Sequence, residues 1–202
     1  MSGQLTCLAP NASPARSDHV HCRWSISDHT GQDLGVLCFR DPRRFGGLWT
    51  LPDARALESR WAALGPDALR DDPEQALAQT AESRRAIKAA LLDQQVIAGI
   101  GNIYADESLF HAGVLPTRPC RTLNNARRRA LASAIRQVLQ QAVERGGSTL
   151  RDFVNGTGAP GSYQHSRMVY GRAGLPCPTC ATPLASRVLQ QRMTVWCPKC
   201  QT

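Results

Sequence analysis

The sequence has no run of about 18 apolar residues, the length a helix needs to cross a bilayer, and its first 30 residues lack the basic start and apolar stretch of a secretory signal. The expectation is a soluble, cytoplasmic protein with no membrane partner. Lysine is scarce: of the 24 Lys+Arg residues only Lys88 and Lys199 are lysine. Acids are scarce where it matters most, because after residue 107 only Glu144 and Asp152 are acidic. Residues 108–202 therefore hold thirteen bases against two acids, a local charge of +11 in a chain whose total is +8, while residues 53–107 carry six bases against ten acids. A localised basic excess is what a polyanion-binding surface carries. The arginine bias suits bidentate phosphate recognition, and equally suits coding by a GC-rich genome. Charge alone leaves nucleic-acid binding and an ordinary basic surface both open. What is present excludes wholesale disorder: 42% of the 202 residues are hydrophobic, enough for the cores of one or two domains.

Four of the eight cysteines fall as Cys177-x2-Cys180-x16-Cys197-x2-Cys200. Two knuckles at this spacing can aim four sulfurs at one ion, with room between them for a hairpin. Pro176, Pro178 and Pro198 supply turn chemistry. The competing reading is two redox pairs or two disulfides, for which no βαβ context is present. A four-thiolate site has no open position, so one structural Zn2+ is expected, holding a ribbon too small to stand alone. Cys7, Cys22, Cys38 and Cys120 read as reduced thiols.

The chain has three regions of different texture. Residues 3–50 alternate apolar and polar positions around turn signals, as in Val20–Ile26 and Gly35–Phe39, and predict about three strands, too few for an independent sandwich. Residues 52–146 look helical. Pro52-Asp53 opens one helix through about Leu64, Pro73-Glu74 a second, Ala86–Val96 forms a third, and the longest runs from about Thr122 to Arg145. In that last helix Leu131, Ile135, Val138, Leu139 and Ala142 make an apolar stripe with Arg127, Arg128, Arg129 and Arg136 largely off it. Residues 155–174 hold five glycines, Gly156, Gly158, Gly161, Gly171 and Gly174, and predict a mobile loop.

Between two helical segments lies Gly99-Ile100-Gly101-Asn102. The glycines let the backbone approach a ligand, and Asn102 with the free N–H groups of the next helix could hold a phosphate. A plain helix–helix turn capped by Asn102 explains the same residues.

Taken together, LDQQVIAGIGNIYADESLFHAGVLP (92–116), DPRRFGGLW (41–49), VYGR (169–172) and the CxxC-x16-CxxC ending in Gln201 resemble the formamidopyrimidine-DNA glycosylase family, which includes endonuclease VIII, of bacterial base-excision repair. The resemblance spans essentially the whole chain, in the family's order. It implies an α+β fold: a remnant of an N-terminal β-sandwich domain (1–51), a helix–two-turn–helix domain (52–154), a glycine-rich lesion-capping loop (155–174) and a four-Cys zinc finger (175–202). The implied partner is double-stranded DNA containing oxidised bases or abasic sites, bound by a monomer associated with the bacterial nucleoid. By the same resemblance Asn102 and Arg192 clamp the phosphates flanking the lesion with Tyr170 assisting, and His19 contacts the backbone. Met1, Arg43 and Phe45 fill the gap left by the extruded base. For Phe45 a core aromatic is the other reading. Glu107 resembles an acid beside the phosphate-binding turn and is expected to orient that turn.

The family's chemistry begins with an N-terminal proline amine followed by an acid, whereas this sequence starts Met1-Ser2-Gly3. Neither Lys88 nor Lys199 matches a catalytic position, so no catalytic residue is expected in this chain. Two functional expectations follow. One is the damaged-DNA-binding part of a glycosylase/AP lyase that excises oxidised purines and cleaves by β,δ-elimination, inactive as it stands. The alternative is a non-catalytic zinc-containing DNA-binding module.

Overall fold

The computed structural model describes residues 3–10, 12, 19–42, 44, 46–149 and 159–202. Met1, Arg43, Phe45 and residues 155–158 of the glycine-rich stretch lie outside the described residues. The chain divides into two compact units, one of 1–51 with 142–166 and one of 52–141 with 167–202.

The first unit is built on three antiparallel strands, β1 (Gln4–Leu8), β2 (Val20–Ser27) and β3 (Asp33–Arg40), in the order β1-β3-β2. These are the three strands the alternation predicts. The β2–β3 turn is held by Asp28, whose Oδ1 accepts the N–H groups of Thr30 (2.8 Å) and Gln32 (2.9 Å). Register pairs Leu8 with Val36 and Trp24 with Leu37. Gly35 has a φ of +132°, and a Cβ there would collide with the Leu8 carbonyl of β1. Cys38 is buried, while Leu5 and Leu34 stand exposed. In the same unit the chain after residue 159 is tied to the segment before 150: Gly161 N–H donates to Thr149 Oγ1 (2.9 Å), Thr149 N–H to Gln164 Oε1 (3.0 Å) and Tyr163 N–H to the Gly147 carbonyl (3.1 Å).

The second unit is helical with a small ribbon. Asp53 caps α1 (Ala54–Trp61), accepting from Ala56 N–H, and Asp72 caps α2 (Pro73–Ala78), accepting from Glu74 N–H with Pro73 at the first helical position. The third helix is shorter than its sequence suggests: α3 spans Ile87–Leu91 and stops before Asp93. Asp93 Oδ1 accepts Gln95 N–H, and its carbonyl accepts from Val96 and Ile97, which turns the chain where helical spacing alone continues it. The start of α3 has no side-chain cap because the carbonyls of Arg118 and Pro116 take the N–H groups of Ile87 and Lys88. Next come α4 (Asn102–His111) and α5 (Asn125–Glu144), with Asn124 Oδ1 taking Arg127 N–H at the start of the latter. Leu131, Ile135 and Leu139 of α5 enter a core with Leu77, Ile87, Leu91, Ile97, Ile100, Leu109 and Val114. Arg129 and Arg136 stay on its exposed side. The two-stranded hairpin β4 (Ala185–Leu189) and β5 (Arg192–Trp196) packs on α4, and Phe110, Val169, Leu184 and Val195 form a second cluster with Cys177 and Cys197. No helix among the described residues is long and apolar enough to cross a membrane.

Candidate nucleic-acid interface

The Gly99–Asn102 turn is shaped by Gln94, which accepts Gly99 N–H at Oε1 (2.9 Å) and donates to the Ile100 carbonyl (3.1 Å). Gly99 has a φ of +95°, so the turn needs glycine there. A Cβ on Gly99 or Gly101 would meet open space, so this backbone is accessible from outside. Gly101, in extended conformation, is the N-cap of α4 and provides no side-chain cap. Asn102 is therefore the first helical residue and not the cap. Its Nδ2 donates instead to the Met193 carbonyl (2.9 Å), and its Oδ1 is closed off from solvent without a hydrogen-bond partner. No side chain caps the start of α4, and a helix N-terminus favours an anion.

Met193 is next to Arg192, the first residue of β5. Arg192 follows a two-residue turn, Gln190-Gln191, with φ of 47° and 60°. Two consecutive left-handed residues give the tight turn whose twist matches the strands it joins. Asn102 and Arg192 thus come together through one residue of β5, although 90 positions separate them in the sequence.

Tyr170 is placed by its backbone. Glu107, fully buried on α4, accepts Tyr170 N–H at Oε1 (2.8 Å), Val169 N–H at the same oxygen (3.1 Å) and Met168 N–H at Oε2 (2.8 Å). Glu107 therefore orients the 168–170 segment, where the sequence pointed to the Gly99–Asn102 turn. The Arg167 guanidinium lies 5.7 Å from the Tyr170 ring centroid.

Sequence reasoning missed the polar pair beneath this region. Lys88 on α3 and Asp106 on α4 are 1% and 0% exposed, with Nζ and Oδ1 2.6 Å apart. Burial pushes the Asp106 carboxyl up to about 6, against the pull of Lys88, and holds the Lys88 ammonium below its ordinary range. The only sequence hint was an isolated lysine in an apolar stretch.

In the first unit His19 is exposed, with a φ of 53°, and its carbonyl accepts Asp41 N–H (3.1 Å). Asp41 is 1% exposed, and its Oδ2 accepts Gly46 N–H (2.5 Å). His21 Nε2 contacts the Asp41 carbonyl (2.9 Å). An open cavity of about 530 Å³ is lined by His21, Phe39, Asp41, Arg44, Gly46 and Leu48. His21 and Asp41 were not singled out from sequence, though Asp-Pro before a Gly-Gly pair is a loop-closing signal.

The four thiols of Cys177, Cys180, Cys197 and Cys200 lie within 4.8 Å of one another. Cys177 and Cys200 sulfurs are 4.0 Å apart and those of Cys180 and Cys197 3.5 Å, close to the ~3.8 Å edge that tetrahedral Zn–S bonds of about 2.3 Å require. Without a cation these sulfurs conflict: a hydrogen bond from Thr182 first draws Cys180 down to about 6, while Cys180 in turn pushes Cys200 up to about 12. Zinc removes that conflict by binding all four as thiolates. Cys200 N–H also points at the Cys197 sulfur (3.4 Å). The zinc is structural, since four sulfurs fill its coordination.

Two family models match this chain: the formamidopyrimidine-DNA glycosylase H2TH domain over residues 64–154, and a zinc finger found in FPG and IleRS over residues 174–202. The formamidopyrimidine-DNA glycosylases of Xanthomonas oryzae and Teredinibacter turnerae are 45% identical over 206 residues and 40% over 203, each covering 100% of this chain and 72% of the relative. Among solved structures, the MutM (FPG) protein of Thermus thermophilus matches with a TM-score of 0.82 at 40% identity, over 100% of this chain and 73% of the other. Lactococcus lactis Fpg in complex with an abasic-site-containing DNA matches with a TM-score of 0.86 at 29% identity, over 100% and 72%.

Proposed function

The chain belongs to the formamidopyrimidine-DNA glycosylase family, and from that membership we propose that it is the damaged-DNA-binding part of a base-excision-repair glycosylase. Its partner is duplex DNA carrying an oxidised base or an abasic site. The observation that carries this reading is the Asn102–Met193 bond. It holds the strand start that carries Arg192 against Asn102 at a helix N-terminus without a side-chain cap, and an amide, such a terminus and an arginine are suited to gripping phosphate without reading sequence. Tyr170 assists the grip. His19 contacts the DNA backbone, and Met1, Arg43 and Phe45 fill the space of the extruded base. The structural zinc holds the ribbon that carries Arg192. The protein acts as a monomer in the bacterial cytoplasm, associated with the nucleoid.

The test is binding of the full chain to a short duplex containing a tetrahydrofuran abasic analogue, followed by fluorescence anisotropy across salt concentrations. Affinity is expected to fall steeply with salt, as phosphate contacts release counterions. N102A and R192A should each weaken binding, with R192A lowering the slope of log K against log salt by about one. Salt-independent binding, or a slope untouched by R192A, would sink the phosphate-grip assignment.

A further inference from the structure

We infer that Lys88 and Asp106 are positioning residues for this grip: the buried pair fixes the start of β5 against α4 and so presents Arg192 beside Asn102. The inference rests on reading Arg192 as a phosphate contact.

The argument starts from where the hydrogen bonds go. Lys88 Nζ is ion-paired with Asp106 Oδ1 (2.6 Å) and donates to Thr194 Oγ1 (2.7 Å) and to the Met193 carbonyl (3.2 Å). Asp106 Oδ2 accepts Val195 N–H (3.1 Å), and Thr194 Oγ1 also donates to the Arg192 carbonyl (3.3 Å). Four consecutive residues, Arg192 to Val195, are thereby engaged by one buried network. Asn102 joins it at the same Met193 carbonyl and lies one helical turn from Asp106, on the same face of α4.

The hairpin needs this support. Two five-residue strands are marginal alone. Zinc anchors their base, where Trp196 precedes Cys197, but Leu189 and Arg192 lie four residues away, about 13 Å along the strands. Gln190 and Gln191 both hold left-handed conformations that non-glycine residues adopt at a cost, and such strain persists where the surroundings over-determine it. The network supplies that determination next to the turn. Arg192 also lies near enough for its charge to disfavour the Lys88 ammonium, a repulsion that Asp106 offsets. Stability alone does not call for a buried ion pair, which apolar residues of similar volume often replace at no loss. What the pair adds is direction.

The experiment uses the full chain, the tetrahydrofuran duplex and four variants: D106N, K88M/D106L, R192A and D106N/R192A. D106N and K88M/D106L are expected to weaken binding by about tenfold, on the scale of one charge-assisted contact, and to lower the salt slope by about one. D106N/R192A should bind no more weakly than R192A, because both changes remove the same contact. Without DNA, exchange of the Arg192 and Met193 amides should accelerate in K88M/D106L, while zinc stays at one per chain and Gln201 N–H, bonded to Cys197, keeps its protection. K88M/D106L leaves no orphaned charge and serves if D106N folds poorly. Additive losses in D106N/R192A, or unchanged exchange at Arg192 and Met193 in K88M/D106L, overturn the inference. A silent R192A overturns the phosphate reading itself, which the exchange measurement then separates from the positioning of the strand.

Discussion

Glu107 holds Tyr170 by its backbone: the two oxygens of one buried carboxylate accept the N–H groups of Met168, Val169 and Tyr170 in succession. Since Val169 is fully buried in the cluster beside the zinc ribbon, the same contact fixes both a core residue and a residue of the proposed DNA grip. A helix side chain is doing the work that a turn would do elsewhere.

The first prediction tests that contact. Glu107→Gln keeps the shape but sets an NH2 donor against a backbone donor, leaving at least one buried N–H unmet. Destabilisation of about 2–3 kcal/mol is expected, the range for losing hydrogen bonds to a buried charged acceptor, read from urea unfolding. Faster exchange at Met168, Val169 and Tyr170 should accompany it. Unchanged stability would show that the 168–170 segment is held by other contacts.

A second prediction concerns pH. Burial raises Asp106 from 3.8 to about 6, with Lys88 pulling the other way. The folded chain then holds this proton more tightly than the unfolded chain does. The resulting stabilisation is fully present below about pH 3.8 and is lost as pH rises through about 6. A carboxyl-carbon NMR titration should give Asp106 a midpoint near 6. A midpoint at the ordinary aspartate value would mean that the Lys88–Asp106 pair is solvated.

The third prediction is metal removal. Chelation, or Cys197→Ser, should release one zinc per chain and unfold β4–β5. Leu131, Ile135 and Leu139 belong to the other core, so α5 should keep its helical signal. DNA affinity should fall together with the hairpin, because Arg192 sits on it. Circular dichroism with metal analysis separates the two parts, and loss of the whole helical signal on chelation would contradict the division into two cores.

What could be read in advance was local. The CxxC knuckles, the helix starts at Pro52-Asp53 and Pro73-Glu74 and the α5 stripe are each written within a few residues, and each stands in the structure where the sequence put it. The resemblance brought Asn102 and Arg192 to attention, but not the bond through Met193. The Lys88–Asp106 pair was invisible because its members are 18 positions apart and their partners on β5 lie a further 87 to 89 beyond Asp106. Helix α4 hid the rest. Asp106, Glu107 and Ser108 are all fully buried, so a run of polar residues that reads as a solvated face is interior. Hydrophobic periodicity cannot flag buried carboxylates, such as those of Asp106 and Glu107, that take hydrogen bonds from another segment's backbone.

The β4–β5 turn was illegible for a related reason, and it supplies the last prediction. Tight two-residue turns advertise themselves by Asn-Gly or Asp-Gly, since both central residues need positive φ, whereas this one is built from Gln190 and Gln191 at 47° and 60°. Left-handed backbone costs an L-residue roughly 1–2 kcal/mol, and glycine returns part of that relief as chain entropy, about 0.5–1 kcal/mol. Q190N/Q191G should therefore stabilise the hairpin by about 1 kcal/mol. Because the network on Met193, Thr194 and Val195 is untouched, Arg192 should keep its place and the affinity for the abasic-analogue duplex should hold. Thermal unfolding and anisotropy on the same preparation decide the matter. A stabilised variant with weakened binding would mean that the glutamines themselves contact DNA, and a variant with no gain in stability would mean that the turn carries no strain.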